Sequence, residues 1–435
     1  MTLLDPRHNS IVHRTPFYYG WVIMVIGTFG LIATSPGQTS SVSVFIEHII
    51  TDLGLSRSLV STLYTIATLI GSLALPFVGR QFDKRGPRRT IALISLAFGC
   101  ATIYMGFVRG PWLLLFGFIA IRMLGQGSLQ LVSSNLINNW WVRRRGIILG
   151  VAGMLAGLVE LGAFPALING LIGLFGWRMT WVALGSALLL VFLPVSIAFV
   201  RNQPEEFGLE PDGGTGPQPP SKAATYAAEQ NWTLAEARRT PVFWISAAGM
   251  ATIAMLGTGQ MFHNVSIFLD NGLTPALATA LFLPIAATTA SVNLVSGILV
   301  GRVPVRYMLA VGLLFQGLAL WMALYLVSVA AVWMYAVVIG VFHGMGRTTR
   351  FVLWPTYFGR KHLGSIAGVG TAFLIAGSAL GPMPFGIARD LLGSYDLTFR
   401  VVSLAPFVLA ALTIFVRPPR KADEIAVGLD NLHRR

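Results

Sequence analysis

GRQFDKRGPRR, Gly79 to Arg89, sets Arg80, Lys84, Arg85, Arg88 and Arg89 around a single carboxylate, Asp83. The runs on either side are apolar and too long for a soluble core. Gly86 and Pro87 forbid a continued helix, so the chain turns here. A dense basic turn between two such runs is the pattern of a loop joining two membrane helices.

The rest of the chain has the same character. Of 435 residues, 54% are hydrophobic and 11% charged, with a mean hydropathy of +0.70; a soluble domain carries about 25% charge. An all-α, polytopic protein in a lipid bilayer is expected. The net charge of +14 does not indicate nucleic acid, because Lys and Arg are scattered between apolar segments instead of forming one patch. The lone cysteine, Cys100, leaves no intrachain disulfide and no Cys-based metal site. No Ser-His-Asp, Cys-His or metal-ligand constellation appears, so neither an enzyme nor a cofactor is expected.

A spanning helix needs roughly 20 apolar residues. About twelve runs qualify: near 18–45, 58–79, 90–108, 111–139, 146–172, 178–200, 242–268, 276–300, 307–327, 331–357, 364–391 and 398–416. They divide the chain into a tail at 1–17, a six-helix bundle at 18–200, a Pro- and Gly-rich linker at 201–240, a second bundle at 241–416 and a tail at 417–435. Residues 1–17 show no cleavage site, so the first run is read as an uncleaved helix. Only Arg57, Arg109, Arg178, Arg389 and Arg400 fall on the side opposite the opening turn, and Arg122, Arg347 and Arg350 lie within runs. Every other basic residue is on the turn's side, which the positive-inside rule makes cytoplasmic, with both termini and the cell inner or plasma membrane as the setting.

The halves repeat each other. VSVFIE (42–47) matches VSIFLD (265–270), GR at 79–80 matches GR at 301–302, and WWVRRRG (140–146) resembles YFGRKHLG (357–364). Such spacing argues for duplicated bundles of about six helices. The opening turn, through Gly79, Asp83, Lys84, Gly86, Arg88 and Arg89, resembles the loop motif of the major facilitator superfamily. FYYGWVI (17–23), NQPEEFGLEPDGG (202–214) and YFGRKHLGSIAG (357–368) resemble, more narrowly, the bacterial monocarboxylate and oxalate-formate type porters. The resemblance implies two six-helix bundles rocking about a central path lined by the first, fourth, seventh and tenth helices.

Those four runs do carry the polar residues. The fourth has Arg122, Gln126 and Gln130, and the tenth has His343, Arg347, Arg350 and Trp354, each set on one helix face. The first offers Thr34, Gln38 and Ser41, and the seventh Gln260, His263 and Asn264. The third, sixth, ninth and twelfth are almost wholly apolar and should face lipid. A charge at the bilayer centre costs at least about 2.5 kcal/mol and calls for a partner or water. Arg122 and Glu160 both fall near the midplane at 1.5 Å of rise per residue. They are expected to pair, either as a proton-linked coupling group or as a permanent tie between helices. Arg347 has no acidic residue in its own run, and its fork of donors suits an anion's two oxygens. Arg350 is expected to snorkel to the cytoplasmic face.

His263 and His343 could carry protons or simply bond neighbouring helices; the second role is the expected one. Gln38, Gln126, Gln130, Gln260 and Asn264 could orient a polar solute or bond helices. The resemblance implies that Asp83 meets basic residues near Arg143, Arg144 and Arg145 and the amino end of the eleventh helix, whose dipole favours a carboxylate. The alternative is a loop that only fixes topology. The eighth run has no charge where the narrower family is expected to carry an arginine. It offers Thr288, Thr289, Ser291 and Asn293, so either the anion site moved to Arg347 or the solute is not a small carboxylate. The leading expectation is a secondary transporter of a small organic anion such as a monocarboxylate, with a proton or counter-solute as partner. Efflux of amphipathic or drug-like compounds, and a non-transporting receptor or scaffold of the same fold, are the alternatives.

Overall fold

The computed structural model of the chain describes residues 11–214 and 231–419, except 275, 276, 278, 279, 327, 393 and 417; for 57, 58, 161, 162, 265, 388, 390 and 392 it describes the backbone alone. Arg7, Lys222, Arg417, Arg420, Lys421, Arg434 and Arg435, the middle of the expected linker and most of both tails lie outside the described residues.

Ten described helices are long and apolar enough to cross a membrane. Two contain a glycine at positive φ, Gly86 at 77° and Gly176 at 75°, where the helix breaks. Divided there, the described residues form twelve segments. They are α1 (Gly20–Leu53), α2 (57–85), α3 (87–105), α4 (Pro111–Trp140), α5 (145–175), α6 (177–199), α7 (241–270), α8 (Phe282–Leu299), α9 (Val305–Met322), α10 (Val329–Phe358), α11 (363–392) and α12 (Asp396–Phe415). Leu190 of α6 and Phe415 of α12 are among the large apolar side chains left exposed, as a lipid-facing surface requires.

The opening stretch turns more tightly than a loop of eleven residues. Helix continues to Arg85 and resumes at Pro87, whose missing N–H and fixed φ suit a first turn. The Thr90 hydroxyl donates to the Gln81 carbonyl at 3.3 Å, which requires a chain folded back on itself. Asn202 seals the turn by accepting from the Arg88 N–H at 3.1 Å.

Four spans change their helical pitch, among them α6, which is π-helical over Leu188–Phe192. α1 is interrupted at Ser35–Gly37, where Pro36 has no N–H to give. α4 widens to π-helical turns over Arg122–Leu129 and α5 over Val159–Ala163. Such turns concentrate at functional sites; here they hold Arg122, Gln126 and Glu160.

The halves meet along two seams, α2 against α11 and α5 against α8. Both are built on glycine. A Cβ on Gly364 would overlap the Gly79 carbonyl, and one on Gly146 would lie 2.5 Å from the Gly297 carbonyl. One turn on, Gly368 faces the Leu75 carbonyl and Gly150 the Asn293 carbonyl. The separation from Gly79 to Gly297 equals that from Gly146 to Gly364, so one seam is the repeat of the other. This register makes Gly297, one turn before the GR at 301–302, the counterpart of Gly79.

Candidate functional site

Arg122 does not pair with Glu160. The break in α1 leaves the Gly37 carbonyl without its helical donor, and Arg122 Nη1 supplies one at 3.0 Å. Arg122 also donates to Thr68 Oγ1 at 3.0 Å and Thr39 Oγ1 at 3.2 Å, and lies over the Tyr64 ring. It is 3% exposed, so it is a buried clamp on α1 and α2 with no room for a solute.

Glu160 instead faces Arg347. Arg347 Nη2 lies 3.6 Å from Glu160 Oε2, and each side chain keeps about a fifth of its surface exposed, at 20% and 19%. The guanidinium leaves α10, crosses to α5 in the other half, and donates through Nη1 to the Gly153 carbonyl at 3.2 Å. A Cβ on Gly157 would overlap Nη1, so that glycine makes the crossing possible. The expectation that Arg347 has no acidic partner held only within its own helix.

Arg350 does not snorkel. Gln130, in the amide orientation that satisfies both neighbours, accepts from Arg350 Nη2 at 3.0 Å and donates to the Gln126 carbonyl at 3.0 Å. Asn138 ties the same helices, donating to the Phe351 carbonyl at 3.0 Å. The uncharged α8 contributes Asn293, which accepts from Thr348 at 2.6 Å and donates to the Gly150 carbonyl at 3.3 Å, joining α10 to α5. His343 stacks beside Phe342 and against Gly257 of α7.

Several expected cavity residues serve packing. Gln38 donates to Thr34 of its own helix at 3.0 Å and is 4% exposed. Gln260 accepts from Gln316 of α9 at 2.5 Å, and Asn264 is buried. His263 lies 3.1 Å from both the Pro382 carbonyl and the Tyr395 hydroxyl, locking α7 to α11 and α12. A polar side chain inside a bundle bonds an adjacent helix where it can, as Gln260 and His263 do, while Gln38 bonds within its own.

The face bearing the turns near Gly86, 140–146 and 359–363, the basic face, holds the Asp83 contacts. Asp83 accepts from the Gly364 N–H at 2.8 Å, the Ser365 N–H at 2.7 Å and the Ser365 hydroxyl at 2.5 Å, capping α11 across the α2–α11 seam. Its expected contacts with Arg143 to Arg145 are absent from the described residues. The N–H groups of Val142, Arg143 and Arg144 donate to Asp212 instead, at 3.0, 2.8 and 3.0 Å, and the Arg143 and Arg144 side chains are exposed. Asp212 stands at φ 61°, a conformation open to Asp in a PDGG turn. Burial first, then the Asp212 carboxylate, hold the Tyr18 phenol above its usual range. The sequence placed Asp212 in a Pro- and Gly-rich linker and gave no sign of the turn at 142–144 that it holds. Arg360 adds a second tie across the halves, donating to the Asn139 carbonyl at 2.5 Å and to Glu205 at 2.6 Å.

The comparisons with known proteins agree with this architecture. A family model described as Major Facilitator Superfamily matches residues 27–382. An oxalate:formate antiporter of Oxalobacter formigenes is 24% identical over 264 residues, covering 60% of this chain and 58% of that protein, so the match spans little more than half its length. A probable sulfoacetate transporter, SauU, of Cupriavidus necator is 25% identical over 410 residues, 87% of this chain and 89% of that protein. The crystal structure of the human organic anion transporter MFSD10 (TETRAN) shares the fold, with a TM-score of 0.66 at 12% identity over 90% of this chain and 99% of that one. The repeated bundles and a match over most of the length carry one conclusion: the chain belongs to the Major Facilitator Superfamily.

Proposed function

We propose that the chain moves a small organic anion by alternating access, with Arg347 as its ligand and Glu160 as the carboxylate that holds Arg347 when no solute is bound. One observation carries this: the Arg347–Glu160 contact spans the two halves, at 3.6 Å, and stays partly exposed. A solute carboxylate offers Arg347 the chemistry that Glu160 offers, so the two compete for one fork of donors. Displaced or protonated, Glu160 releases the tie between α5 and α10; this is how solute, and a proton if one is coupled, would be linked to rocking. Asp83 and the Arg360 contacts hold the basic face closed meanwhile. The scatter of basic residues makes that face cytoplasmic, with both termini on it and the cell inner membrane as the setting.

Counterflow in proteoliposomes tests the proposal. Small carboxylates and other organic anions compete for uptake, and amphipathic cations do not; competition by cations alone would overturn it. Glu160→Gln keeps the side chain's volume and removes the competing charge. Anion affinity should rise about tenfold, since a hydrogen bond to a charged group is worth about 1.5 kcal/mol or more, and the pH dependence of uptake should flatten. An unchanged affinity and pH profile would leave Glu160 a packing residue.

A further inference from the structure

We infer that the solute carries two anionic groups, the second held by Arg350 and Asn135 one helical turn from Arg347; this rests on the proposal that Arg347 binds the first. The argument begins with charge. Among the described residues, Arg122, Arg347 and Arg350 reach toward the middle of the bundle and Glu160 is the carboxylate among them. One negative charge against three positive ones leaves an excess of two. Arg122 is neutralised by dipoles and a ring and is shut away. Arg347 shares Glu160. Arg350 meets a neutral amide oxygen and the Phe351 ring. A guanidinium in a low-dielectric interior asks for more than an amide oxygen.

Unmet donors converge at the same place. Arg350 Nε and Asn135 Nδ2 are both buried and have no hydrogen-bond partner, and Asn135 is 3% exposed. Both residues line a small chamber of about 20 Å³ with Gln130, Ser134, Trp354 and Thr371, between α4, α10 and α11. That is room for one water-sized group, or for an anion's oxygen. Buried polar groups are nearly always paired in folded proteins, and here both orphans are donors, so the missing partner is an acceptor. Arg347 and Arg350 stand at i and i+3, about 5–6 Å apart at Cβ. A short chain with an acidic group at each end fits that spacing: one end displaces Glu160 and the other enters the chamber.

The test compares short diacids with their own monoamides, which keep size and lose one charge: malonate, succinate and glutarate, each against its half-amide, titrated into the purified full chain. At least one diacid should bind ten times or more tighter than its monoamide, as a charge-assisted bond predicts. In Arg350→Gln that ratio should fall to about one. Asn135→Asp, which puts a carboxylate into the chamber to occupy Arg350, should lower it likewise and serves if the arginine variant does not fold. Monoamides binding as well as every diacid in the native chain would overturn the second subsite and leave the Arg347 site standing. No binding by any of the six would overturn both.

Discussion

Gly364→Val abolishes transport, by a hundredfold or more, without unfolding the protein. Its first added atom would overlap the Gly79 carbonyl and come 2.8 Å from Asp83 Oδ1 and 3.0 Å from the Phe82 ring. A rotamer change does not relieve the clash with the Gly79 carbonyl, because that obstacle is backbone. Overpacking costs about 1–3 kcal/mol or more, and it falls only on the conformation in which α2 touches α11. The state open at the basic face has no such contact, so the variant should be held there; about 3 kcal/mol shifts such an equilibrium more than a hundredfold. A cysteine placed at Ser365 in a Cys100→Ser background should then react faster with an impermeant maleimide. Gly110→Ala is the control, since nothing lies within 4 Å of its Cβ. Native uptake and labelling in Gly364→Val would mean that this seam does not part during transport.

The two seams are alike in packing and unlike in charge. Asp83 caps α11 from the other half, so opening the basic face at α2–α11 breaks three hydrogen bonds to a carboxylate. The repeated position near Gly301 has no carboxylate. Asp212 of the linker instead accepts from the N–H groups of the turn before α5, all within the first half's side of the seam. The α5–α8 seam is therefore held by glycine packing and Asn293, and among the described residues the carboxylate contact lies on one seam only.

Much of this was legible in the sequence. Twelve spans follow from run length, because a bilayer requires about 20 apolar residues and satisfies no loose backbone. The Asp83 contact with the start of α11 followed from the resemblance and a helix's positive end. The partner of Glu160 was not legible. Counting residues from a helix end gives height in the bilayer, which puts Arg122 and Glu160 both near the midplane without saying which helix face each presents. Choosing a partner takes the rotation of each helix, which the wide turns at Arg122–Leu129 and Val159–Ala163 and the break at Ser35–Gly37 alter in ways no regular 3.6-residue count captures. The role of Gly157 was hidden for the same reason: the guanidinium it admits arrives from the other half. Asp212 lay in a polar linker, where a turn motif names the local bend and not the turn at 142–144 that it holds.

Arg347→Ala lowers anion affinity by about 30-fold to about 5,000-fold and stops uptake. Truncating one partner of a buried, hydrogen-bonded charge pair costs about 2–5 kcal/mol. Part of that is the cost of leaving the other charge alone, and here that charge is Glu160. The single variant therefore confounds two losses, ligand binding and a stranded carboxylate that weakens the α5–α10 contact. Combining Arg347→Gln with Glu160→Gln separates them. With neither charge present nothing is stranded, so the double variant should regain most of the melting temperature that Arg347→Gln loses. It should not regain anion binding, because no fork of donors remains to grip the carboxylate. A double variant that binds anions as the native chain does would reduce Arg347 to a strut between halves. One that is stable and blind to anions would place the solute where Glu160 now sits.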